Sequence, residues 1–150
     1  MDFSKKTFIL LTVLFSCLTF SQTTPKIIGE WIGTDSWGNE SKFIFSEDNY
    51  ISMTINGEFI DGKSFVIKGG KDDGKTAELK YNIDYSKSPV TIDFIAIKNE
   101  NDKLIEKGRI LCIANFISDT EMMLLLNFIG KRETNFDDSN KENMVILRKK

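Results

Sequence analysis

Carboxylates are the first candidates for chemistry in this chain of 150 residues. Asp72-Asp73 forms one acidic pair and Asp137-Asp138, followed by Glu142, another. A calcium loop needs six or more oxygens at a defined spacing, and neither pair follows the D-x-[DN]-x-[DN]-G pattern. Turns rich in Asp and Asn account for both, so no metal site is expected. Nothing marks either pair as holding the raised-pKa acid of a glycosidase. Gly69-Gly70-Lys71 lacks the rest of G-x-x-x-x-G-K-[ST] and the helix that should follow, which makes it a turn. The chain has no histidine, and that removes Ser-His-Asp and Cys-His catalysis and His-ligated zinc together. Cys112 stands in the apolar run Ile110-Leu111-Cys112-Ile113-Ala114. With no imidazole to activate it, it reads as a small buried hydrophobe. No catalytic constellation remains and no cofactor is implied, so the expectation is a protein that is not an enzyme.

Charge and composition narrow the class further. Lys and Arg number 20 against 22 Asp and Glu, a net charge of −2, without the basic bias of a nucleic-acid binder. Hydrophobic residues at 41% and charged residues at 28% fit a globular domain, and the length favours one domain. Twelve Phe, three Tyr and two Trp are a large aromatic content for such a chain, available for core filling or for lining a ligand site.

The first 21 residues read as an address. Lys5 and Lys6 precede the apolar run Phe8–Phe15, and Thr19-Phe20-Ser21 supplies small residues before Gln22. That order is the signature of a secretory signal peptide, with residues 22–150 as the exported domain, periplasmic or secreted. The apolar stretch is shorter than the roughly 20 residues needed to span a bilayer, and no later segment resembles a membrane anchor. Leu14-Phe15-Ser16-Cys17 offers the alternative of a lipobox, with the protein anchored through a lipidated Cys17. With Cys17 leaving in the signal, Cys112 has no partner for an intramolecular disulfide, and the fold must rest on its core.

The elements that would position any site are strands. Ala77, Leu79, Tyr81, Ile83 and Tyr85 alternate with Glu78, Lys80, Asn82 and Asp84, the pattern of a strand with one buried and one wet face. The same period runs through Phe43–Phe45, Ile51–Ile55 and Val90–Ala96. Further strands are expected at Ile27–Thr34, Phe65–Lys68, Leu104–Phe116, Glu121–Ile129 and Met144–Lys149. Asn56-Gly57, Asp61-Gly62, Asp73-Gly74 and Asn99-Glu100-Asn101-Asp102 supply turn chemistry between them. Thr23–Ile28 and Asp138–Asn143 each have room for one helical turn. The expectation is an all-β, antiparallel up-and-down meander of about eight to ten strands, closed into a barrel to cover its edges, with a two-sheet sandwich as the alternative.

Gly29-Glu30-Trp31 on the first strand and the basic end of the last, Ile146-Leu147-Arg148-Lys149, resemble the lipocalin superfamily. Asp84-Tyr85-Ser86-Lys87-Ser88-Pro89-Val90-Thr91-Ile92-Asp93 is similar to the D-P-S-K-x-P-x-x-I-D segment of a group of small exported bacterial lipocalin-like proteins. Gly108-Arg109-Ile110, Ser118-Asp119-Thr120 and Arg132-Glu133-Thr134-Asn135-Phe136 resemble that group's later stations in order. The resemblance implies a lipocalin-like barrel in which Gly29, Trp31 and Arg148 form a structural signature, the indole plugging the floor and Arg148 packing across it. It carries no activity.

Two functions from different classes follow. One is a barrel that binds a small apolar or amphipathic ligand, lined by Trp37, Phe45, Met53, Tyr81, Tyr85, Phe94 and Arg109, with Ala77, Ala96 and Ala114 leaving room inside. The other is an interaction or structural domain with a filled core and a protein partner. Ile95, Ile97, Leu111, Ile113, Met123 and Leu125 fall on the outward phase, and such a patch calls for a partner or a covering helix.

Overall fold

The computed structural model describes residues 27–35 and 38–150. The leader expected over 1–21, Cys17 and most of the helical turn expected at Thr23–Ile28 lie outside the described residues, as does Trp37. Ten strands follow one another: β1 (Gly29–Asp35), β2 (Glu40–Phe45), β3 (Ile51–Ile55), β4 (Glu58–Ile60), β5 (Phe65–Val66), β6 (Thr76–Asp84), β7 (Val90–Glu100), β8 (Lys103–Ser118), β9 (Glu121–Asn127) and β10 (Met144–Lys149). A 3-10 helix, Asp138–Asn143, precedes β10. No helix among the described residues is long and apolar enough to cross a membrane.

All ten strands form one antiparallel up-and-down sheet in the order β4-β3-β2-β1-β10-β9-β8-β7-β6-β5, nearly closed into a barrel. The first and last strands pair in the middle of this order, with Trp31 opposite Lys149 and Asp35 opposite Val145. The two ends of the sheet meet along a seam. There the Tyr81 N–H donates to the Asn49 carbonyl at 2.9 Å and the Leu79 N–H to the Gly62 carbonyl at 2.7 Å, with a single bridge between Tyr50 and Lys80. Gly62 is required at this join, because a Cβ there would lie 2.4 Å from the Ile51 carbonyl oxygen.

Turn chemistry sets the register. Asn56 and Gly57 take φ of 52° and 76° in the β3–β4 hairpin, and Asn101 and Asp102 take 52° and 61° in the β7–β8 hairpin. Both positive values at the centre of a two-residue loop match the twist of the flanking strands. β4, three residues long, was not expected from the sequence; its one inward side chain, Ile60, is too little to show a period.

Inward residues of every long strand build the core. Trp31, Phe43, Phe45, Ile51, Met53, Ile92, Phe94, Cys112, Ala114, Met122, Leu124 and Leu147 are fully buried in one cluster. Of the outward apolar series, Ile113 and Leu125 are also buried. The chain between β9 and β10 lies on this outer face. Its Arg132 guanidinium donates to the Cys112 carbonyl at 2.7 Å and pairs with the Asp93 carboxylate, and its 3-10 helix packs against β9. Ile95, Ile97, Leu111 and Met123 are half-buried. Arg132 thus holds this connection against the outer face of β7 and β8.

Candidate functional site

One end of the barrel is a floor. Trp31 is wholly buried there, and its indole N–H donates to the Ile27 carbonyl at 2.7 Å. Phe116 meets the indole edge-on, with ring centres 6.4 Å apart. The cation on the other side is Lys149, whose ammonium lies 5.4 Å from the ring centre. This corrects the expectation for Arg148. Alternation along β10 turns Val145, Leu147 and Lys149 to the Trp31 side and Arg148 outward, where it stands opposite Ile32 and pairs with Glu121 at 3.4 Å. Gly29 belongs to the same device: at φ 131° it leaves space where a Cβ would come within 2.8 Å of the Lys149 Cε. The glycine lets the lysine stem pass on its way to the indole.

The residues expected to line a ligand site divide between three places. Phe45, Met53, Tyr81 and Phe94 do meet, but as packing inside the barrel. Phe45 contacts Tyr81 edge-on with centres 5.1 Å apart, and Phe94 reaches Phe45 and Phe43 at 6.0 and 6.3 Å. Rings from β2, β6 and β7 thus meet across the bore, which is how a small barrel fills its own interior with side chains. Ala77 and Ala114 face inward and Ala96 packs against the same cluster, yet they serve this interdigitation. The Tyr81 hydroxyl donates to the Ser46 carbonyl at 2.9 Å. Tyr85 sits at the floor, where its hydroxyl accepts from the Ile27 N–H at 3.4 Å. Burial raises the pKa of both phenols. Arg109 is on the outer surface, held by Glu106 and Asp93; hydrogen bonding to Glu106 is the main reason its pKa is raised.

The opposite end is open. A cavity of about 250 Å³ lies over the upper core layer, walled by Phe43, Leu126, Val145 and Met144 and rimmed by Asp35 and Glu142. Asn56 and Asn143 add amides to the rim. The Asp35 carboxylate accepts from the Asn39 backbone at 2.8 Å and from its side chain at 3.1 Å, which shapes the β1–β2 turn. Glu142 and Asn143 are presented by the 3-10 helix. Asp137 caps that helix by accepting from the Ser139 N–H at 2.9 Å, while the buried Asn140 amide donates to the Asn135 carbonyl at 3.0 Å. Asp35 and the wall carry no local sequence signal, because they come from four strands far apart in the chain, and Glu142 stands out in the sequence only as part of an acidic cluster.

The acidic pairs have structural partners. Asp137 is the helix cap. Asp72 is held by Lys75 at 2.8 Å and Lys107 at 3.3 Å, and Lys107 also reaches Glu100 at 2.9 Å, so one ammonium ties the 69–75 turn to the β7–β8 hairpin. Among the described residues no group of three or more His, Cys, Asp or Glu side chains is placed to hold a metal ion. Compared with protein-family models, with curated proteins and with solved structures, the chain matches none.

Proposed function

We propose that the protein is an exported, lipocalin-like, non-enzymatic domain that holds one small amphipathic molecule at the mouth of its barrel, above the packed bore. The observation that carries this reading is the cavity of about 250 Å³ with an apolar wall and two carboxylates on its rim. Binding sites of this kind join a mostly apolar lining to a few polar groups that set orientation, and span roughly 300–1,000 Å³ for drug-sized ligands. A ligand here is smaller than that. Its apolar part rests on Phe43, Leu126 and Val145, and Asp35 with Glu142 favours a cationic head over an anionic one. Export is supported by the basic, apolar and small-residue order of the first 21 residues.

Calorimetric titration with a medium-chain alkylamine, and with the carboxylate of equal chain length, tests the site. The amine is expected to bind and the carboxylate to bind more weakly. Asn143→Trp, which places an indole at the mouth, is expected to abolish both. Equal binding of both probes by the wild type and by Asn143→Trp would refute the mouth as the site.

A further inference from the structure

We propose that the split between β4 and β5 is a strand-addition site for an extended peptide of a protein partner, alternately apolar and carrying a basic residue. This goes beyond the mouth cavity and does not depend on it. β4 and β5 are the two end strands of the sheet and do not pair with one another. Below them the seam is closed by Gly62 and Leu79, and the 61–64 turn joins the two strands, with the Ser64 N–H donating to the Asp61 carbonyl at 3.2 Å.

Hydrogen-bond phase gives the split its character. In a two-residue hairpin the residues flanking the turn exchange both backbone bonds, and the pattern alternates from there. Glu58 and Ile60 therefore bond to Ile55 and Met53, and the N–H and C=O of Phe59 point away from β3 into the gap. On the other side, Ile67 exchanges bonds with the strand after the turn, accepting from Gly74 and donating to Lys75, each at 2.8 Å. Alternation then aims the N–H and C=O of Val66 into the gap as well. Two edges thus face one another with free donors and acceptors, the template that an extended peptide completes.

Side chains supply the rest. A groove of about 450 Å³ runs along the split. Ile60 and Phe65 form its floor, packed against the barrel core. Phe59 and Val66 stand on its rims, 58% and 56% exposed. A strand in the gap would turn alternate side chains to the floor and to the rims, so it has to be apolar at both. Charge selects the peptide further. Glu58 is already paired with Lys68, which bridges the split. Asp61 accepts from the Lys63 backbone N–H at 3.0 Å and has no ion pair among the described residues. A basic residue on the incoming strand meets that carboxylate.

The probe is a synthetic peptide with valine or isoleucine at alternate positions, threonine between them and one lysine, titrated into the full exported domain by fluorescence anisotropy. Saturable binding is expected. N-methylation of the peptide's alternate amides is expected to weaken it roughly tenfold, the effect of one or two lost net backbone hydrogen bonds. Phe59→Pro removes the edge N–H without touching the β3–β4 ladder and is expected to weaken binding by about the same factor. Asp61→Asn is expected to reduce the preference for lysine over glutamate in the peptide. Equal binding of the N-methylated peptide would overturn the proposal. So would dimerisation of the protein alone that Phe59→Pro abolishes, since a second copy would then be the occupant.

Discussion

Lys149 stands directly opposite Trp31 in the β1–β10 register, and its ammonium lies over the indole at 5.4 Å from the ring centre. The contact joins the first strand to the last at the barrel floor, and Gly29 makes room for it. Trp31→Ala is expected to cost about 3–5 kcal/mol, as for other large buried aromatics. Lys149→Met should cost about 0.5–1 kcal/mol through the lost cation–π contact. Arg148→Ala, which breaks only an exposed pair with Glu121, should change stability by less than about 0.5 kcal/mol. Urea unfolding of the three variants checks the order; an Arg148 effect larger than that of Lys149 would contradict it.

Arg132 clamps the β9–β10 connection to the barrel wall through the Cys112 carbonyl and Asp93. Arg132→Met should destabilise the fold by about 2–3 kcal/mol, the value of charge-assisted bonds to partly buried partners. Hydrogen exchange read by mass spectrometry should show faster labelling across 128–143 than in β6. Uniform acceleration over the whole chain would show that the arginine supports the barrel rather than its cover.

Acid should loosen the 69–75 turn before it unfolds the barrel. Hydrogen bonds from Lys75 and then Lys107 lower the Asp72 pKa from 3.8 to about 2, and those from Lys107 and then Lys98 lower Glu100 from 4.5 to about 2. Both pKa values are depressed on folding, so the stabilisation is fully present above the ordinary values and is lost as pH falls toward about 2. The melting temperature of the wild type should fall across this interval, and Lys107→Gln should flatten the slope. An unchanged slope in Lys107→Gln would remove the cluster as its source.

Cys112 is wholly buried, and burial raises its thiol pKa far above the ordinary value. A thiolate is therefore scarce at neutral pH, and the native protein should resist aromatic disulfide reagents. Labelling should follow the rate of global unfolding measured under the same conditions. Rapid stoichiometric labelling of the native state would overturn the burial.

Period-two alternation was enough to read most of the fold. Ala77, Leu79 and Tyr81 announce β6 and its inward face, and Asn56-Gly57 announces a hairpin. Strand alternation also placed Phe45, Met53, Tyr81 and Phe94 on the inward side. What it could not show was whether rings on β2 and β7 would meet across the bore, because that depends on the register between strands that are not neighbours. The cation at the floor was misassigned by one residue for a related reason. Arg148 and Lys149 are both basic, and only the phase of β10 against Trp31 separates them. The mouth cavity, assembled from Asp35, Phe43, Leu126 and Val145, has no local pattern. Neither has the split at β4 and β5, where strands of three and two residues are too short to display a period.

The pairing of β1 with β10 also sets when the molecule can be finished. Glu30 and Lys150, 120 positions apart, are joined at 3.4 Å, and the Lys150 N–H donates to the Glu30 carbonyl at 2.9 Å. In a growing chain the β1–β2 hairpin keeps one edge open until β10 becomes available to pair with β1. Contacts so distant in sequence slow folding, because a long loop must close before they form. Loss of β10 would leave β1 and β9 both uncovered, so the barrel cannot close until that strand has joined it.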